Sequence, residues 1–144
     1  MLRLSTGLFA ATYLLTSAVA VHAGDVQSVR VNAGKVMAVK DFLKGMPKKF
    51  AGHKAEAIAS LESAEAELWK AIKSGGASSA IRYELSTGGG KKLANCISLL
   101  QEVRQELKDA QGGMAGHCLR ARRHVEAALD QLEKAQGAGK KGKS

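Results

Sequence analysis

The 144-residue chain is poor in the residues that mark specialised chemistry: one proline, two cysteines, and aromatics at only 4%. Phe42, Phe50, Trp69 and Tyr83 are too few for a stacking platform, and Trp69 falls on an apolar stripe, so specific single-strand nucleic-acid recognition is not expected. The chain has no G-x-S-x-G elbow and no H-E-x-x-H, which removes the signatures of serine hydrolases and zinc peptidases. Serine, histidine and aspartate residues exist, but no spacing brings them together, so the chain is read as a non-enzyme. It also lacks C-x-x-C-H, which excludes haem attached through that motif. Beyond the N-terminal stretch no segment is apolar enough to span a bilayer, so no transmembrane segment is expected in the mature chain.

What is present begins with an export signal. Met1-Leu2-Arg3 is a short positive start, and the apolar run Leu8–Val21 is broken only by Thr12, Thr16 and Ser17. Small residues then offer cleavage at Ala18-Val19-Ala20 or Val21-His22-Ala23, the second preferred because Gly24-Asp25 opens a polar region. Residues 1–23 are therefore expected to be a cleaved signal peptide, with the mature protein periplasmic or secreted. The run is too short and interrupted for an anchor of roughly 20 apolar residues. The signal carries one charged residue, Arg3, so the remainder keeps nearly all of the formal net charge of +9. That balance bears on solubility and on anionic partners rather than on fold.

Helical periodicity dominates residues 24–136. Ile58, Leu61, Leu68, Trp69 and Ile72 form a stripe over about 53–74, with Glu65 in its gap and Gly75-Gly76 as the stop. Leu93, Cys96, Ile97, Leu100, Val103 and Leu107 mark a second helix over about 91–111. Met114, Cys118, Ala121, Val125, Ala128, Leu129 and Leu132 mark a third that ends at Gly137. Residues 25–44 have helical spacing too, though valines favour strand and Val29-Arg30-Val31 alternates. Pro47 marks the corner that follows. Within the Ser/Gly-rich stretch 77–90, Ile81 and Leu85 suggest one helical turn covering the core. The pattern predicts an all-α fold, a small four-helix bundle, with three helices plus an N-terminal arm as the alternative. Many core positions are alanine, so the core looks thin, and pairing with a partner or a second copy would offset that.

Residues 137–144, GAGKKGKS, are expected to be a disordered basic tail. Gly137, Gly142, Lys143 and Ser144 match G-x-x-x-x-G-K-S, but the phosphate-binding loop joins a strand to a helix, and here the motif runs to the final residue. The match is read as chance.

Cys96 and Cys118 are read as small buried hydrophobes. A chain reversal at Gly112-Gly113 would leave them about 16 Å apart along the helices, beyond the ~7 Å reach of a disulfide. An intramolecular bridge is the less favoured alternative, and an intermolecular bridge stays open.

Two binding readings follow. The basic run Arg120, Arg122 and Arg123, with Lys140, Lys141 and Lys143 in the tail, would engage an anionic partner: lipid head groups, lipopolysaccharide, polysaccharide, nucleic acid or an acidic protein. Arg122 and Arg123 can also pair with Glu126 along the helix. Lys48-Lys49 and Lys91-Lys92 add charge at element ends, and Gly88-Gly89-Gly90-Lys91 before a helix could hold an anion on free amides. The alternative is a haem- or metal-binding bundle acting as a carrier or in electron transfer. It would use His117, Cys118 and His124, with Met37 as an axial partner for a non-covalent haem. The first reading, an exported non-enzymatic bundle with no cofactor, is preferred, because nothing in the spacing compels a His–Met pair.

Overall fold

The computed structural model describes residues 25–46, 51–85, 92–110 and 112–141. Residues 1–23, expected to be a signal peptide, together with Pro47, Lys48-Lys49, Gly88 to Lys91 and Lys143, lie outside the described residues. Four helices form, α1 (Val26–Gly45), α2 (Ala51–Ser74), α3 (Lys92–Glu106) and α4 (Ala115–Lys141), with 3-10 turns at Leu107–Asp109 and Gly112–Met114. The described residues contain no strand.

The ambiguous N-terminal segment is thus a helix. Asp25 caps it by accepting the Ser28 amide at 2.8 Å. Its valines cost only a few tenths of a kcal/mol each in helix propensity. Burial of Val29, Val36 and Val39 outweighs that cost. The expected glycine stop of α2 is a Schellman motif. Gly76 takes φ +84, its amide donates to the Lys73 carbonyl, and the Ala77 amide donates to Ile72.

Buried residues on every helix recur at alternating steps of three and four. The series are Val29, Asn32, Val36, Val39, Leu43 on α1; Ala57, Leu61, Ala64, Leu68, Ala71 on α2; Cys96, Leu100, Val103, Leu107 on α3 and the turn after it; and Cys118, Ala121, Val125, Ala128, Leu132, Ala135 on α4. That is the seam of a left-handed bundle. Alanines recur every seventh residue on both α2 and α4, and these two helices share the most extensive contact. Small side chains let two helices approach closely, so the alanines are a packing device, not a deficit. They are covered within one chain, and their burial does not by itself require a second copy.

The helix directions follow from cross-links. Lys40 pairs with Glu65 and Lys44 with Glu62, so α1 and α2 are antiparallel. His53 contacts Gln131 at 2.8 Å and Glu67 contacts His117 at 2.9 Å, so α2 and α4 are antiparallel too. A Cβ on Gly75 would lie within 3 Å of both Val26 and Met114, which puts the start of α1, the end of α2 and the start of α4 at one end. The end of α3 joins them through its short connection to α4. Each helix has two neighbours: α1 and α4 both flank α2 and α3, and they occupy opposite corners of the bundle.

Because α2 and α3 run the same way, the chain between them must travel back along the bundle. Residues Ala77–Leu85 begin that return as an extended strap laid on α1, without the helical turn expected at Ile81 and Leu85. The Ile81 amide donates to the Arg30 carbonyl at 3.0 Å. The Arg30 guanidinium donates back to the Ser79 carbonyl at 2.7 Å and the Ser79 hydroxyl at 3.1 Å. These bonds satisfy backbone groups that a helical turn would otherwise have paired internally.

α4 does not stop at Gly137 but continues to Lys141, which shortens the expected disordered tail. One glycine costs a helix about 1 kcal/mol relative to alanine. The turn before it is anchored by buried Ala135, and lysines near a helix C-terminus favour the dipole. The chance phosphate-loop match therefore starts inside a helix. Among the described residues no helix is long and apolar enough to cross a membrane.

Candidate functional site

One arginine of the cluster, Arg120, is paired with an acid that the sequence did not single out. Glu67, on the last turns of α2, faces the first turns of α4. Its Oε2 lies 2.9 Å from His117 Nδ1 and 3.1 Å from Arg120 Nε, and Lys70 Nζ is 3.5 Å from Oε1. The His117 contact, then the Arg120 hydrogen bond and charge, hold the Glu67 carboxyl down to about 2, with desolvation opposing them. Arg120 also reaches the same His117 nitrogen at 2.8 Å. One ring nitrogen either donates or accepts. With Nδ1 protonated it donates to Glu67, the arrangement that favours the ionised carboxylate.

Arg122 Nε donates to Glu126 at 3.1 Å, the i,i+4 pair its spacing allows. Arg123 is exposed and makes no ion pair among the described residues. Of the three arginines proposed for an anionic partner, two are therefore engaged with carboxylates of the same chain.

The haem and metal residues are not brought together. Cys118 is fully buried, and burial pushes its thiol up to about 11, which opposes the thiolate a metal needs. Cys96 is buried and raised to about 11 for the same reason, and both thiols are free. His117 turns its Nδ1 to Glu67. Met37 lines a groove between α1 and the strap, whereas His117 and His124 are on α4 at the opposite corner. Among the described residues no group of three His, Cys, Asp or Glu side chains is placed to hold a metal ion.

The helix directions gather a different set of cations. The end of α1 and the starts of α2 and α3 share one end of the bundle, opposite Val26, Gly75 and Met114. α4 also runs toward that end. Gln131 is level with His53 near the start of α2, so the ten residues of α4 beyond it extend roughly 15 Å further. This end carries Lys44, Lys54, Lys92, Lys134, Lys140 and Lys141. Lys44 and Lys134 pair with Glu62 and Asp130, and Lys54 donates to the Met46 carbonyl. Lysines at the C-termini of α1 and α4 complement the helix dipoles, but Lys54 and Lys92 sit in the first turns of α2 and α3, where a cation is disfavoured. No acidic residue occupies either first turn.

The strap encloses a groove of about 730 Å³ against α1 and α2. Its floor includes Met37 and Trp69, so Trp69 is half-buried there rather than fully within the core its spacing suggested. Comparison of the chain with family models, curated proteins and solved structures finds no match.

Proposed function

We propose that this is an exported, non-enzymatic helical bundle that docks a polyanionic partner by its lysine-rich end. The observation that carries the reading is the charge at the starts of α2 and α3. Lys54 and Lys92 occupy first turns that electrostatics would fill with acids, and neither first turn holds one. Two helix N-termini and their lysines thus add to one positive field, extended by Lys140 and Lys141 on the projecting end of α4. The arginines of α4 contribute less, because Arg120 and Arg122 are offset by Glu67 and Glu126. Export is supported by the sequence pattern of residues 1–23.

Retention on an anionic polysaccharide matrix tests this reading. Replacing Lys91, Lys92, Lys140, Lys141 and Lys143 with alanine should release the protein at clearly lower salt and flatten the salt dependence of binding. Replacing Arg120 and Arg122 should change retention little. Unaltered elution of the lysine variant, or a larger loss from the arginine variant, would sink the proposal.

A further inference from the structure

We propose that the groove under the strap binds a small organic cation with an apolar body, such as an arylalkylamine. This does not rest on the lysine-rich end, from which the groove differs in sign. In a chain of net charge +9, the residues lining the groove include two acids, Asp41 and Glu84, against one cation, Arg82. Neither acid makes an ion pair among the described residues, so neither carboxylate is neutralised by a neighbouring side chain there. Two unpaired carboxylates beside an apolar floor are complementary to one ammonium group and its hydrocarbon.

The floor suits such a body. Met37 supplies a polarisable, adaptable thioether and Trp69 an indole, the ring that attracts cations best. The strap's aromatic ring, Tyr83, is already engaged, with Lys35 Nζ 5.9 Å from its centroid, while no side-chain cation lies over Trp69 among the described residues. The volume, about 730 Å³, falls within the range of small-molecule sites. One wall is the strap, which its bonds to Arg30 hold at Ser79 and Ile81.

Trp69 is the only tryptophan, so its fluorescence reports on this groove directly. The full chain, lacking only its signal, is titrated at neutral pH with phenethylamine, phenethyl alcohol and phenylacetate. Phenethylamine should give a saturable change and bind at least about fivefold more tightly than the alcohol, with phenylacetate weakest. The double substitution Asp41→Asn with Glu84→Gln should abolish that preference while the alcohol still binds. Both sites are exposed, so the variant should keep its helical circular dichroism. Equal binding of amine and alcohol, no saturable change, or an amine preference that survives the double substitution would each overturn the proposal.

Discussion

The backbone carbonyl oxygen of Ile81 occupies the space that a Cβ on Gly34 would need: the two would stand 1.7 Å apart. Gly34 is buried in the middle of α1, where glycine costs about 1 kcal/mol relative to alanine. What offsets that cost is the close approach of the strap, which lets Ile81 donate to Arg30 and Arg30 reach Ser79.

Gly34→Ala should therefore stabilise α1 as a helix yet dislodge the strap. A backbone carbonyl cannot rotate aside as a flexible side chain could, so a net loss of about 1–3 kcal/mol is expected. The Ile81 amide should lose its protection against hydrogen exchange, and the Trp69 emission should shift. An Ile81 amide that exchanges as slowly in the variant as in the parent would show that the strap is not packed on Gly34.

Asn32 occupies a seam position of α1 at 1% exposure, and its Oδ1 has no hydrogen-bond partner. Its Nδ2 reaches Ser28 Oγ only at 3.5 Å. A buried unpaired carbonyl costs about 1–3 kcal/mol. Asn32→Leu removes it in a similar shape, so thermal or denaturant unfolding should show a gain of about 1 kcal/mol or more. A polar seam residue can also fix helix register. If it does so here, the stabilised variant should show broadened amide resonances.

Glu67 ties acid stability to the contact between α2 and α4. Its carboxyl is lowered from 4.5 to about 2 by His117, then Arg120 and Lys70. The folded protein therefore holds this proton more weakly than the unfolded chain. The resulting stability is present above about pH 4.5 and drains away as the pH falls toward 2. Arg120 is half exposed, so solvent screening limits the contribution to about 1 kcal/mol. Glu67→Gln should unfold more easily at neutral pH, and its curve should merge with the parent's near pH 2 in acid titrations followed by circular dichroism. A constant offset across that range would contradict the assignment.

Cys96 and Cys118 should resist thiol reagents in the native state, since both are fully buried and burial raises each to about 11. Labelling should scale with the small population of the opened state, so a substitution that weakens the α3–α4 contact should speed it. Rapid labelling of either thiol under native conditions would mean that the α3–α4 side of the core is open.

The fold was legible because helix formation and seam burial are short-range patterns. Val36, Leu61, Leu100 and Val125 announce their faces by their spacing to neighbours in the same helix. The site was much less so. The pairing of Arg122 with Glu126 lies within one helix and could be anticipated. The pairing of Arg120 with Glu67 spans 53 positions and could not. Trp69 illustrates the limit from another side: its apolar neighbours place it on the inner stripe, but only the strap defines the groove that it floors.

The amino-acid order alone thus settled that the body of this protein is a set of amphipathic helices, where they stop at Gly75-Gly76, and that its charge is strongly positive. Those properties depend on residues a few positions apart. Whether a given charge is free or spent, which lysines share an end, and what crosses Gly34 were decided by assembly. Each depends on contacts between segments tens of residues apart, and local spacing carries no information about such encounters.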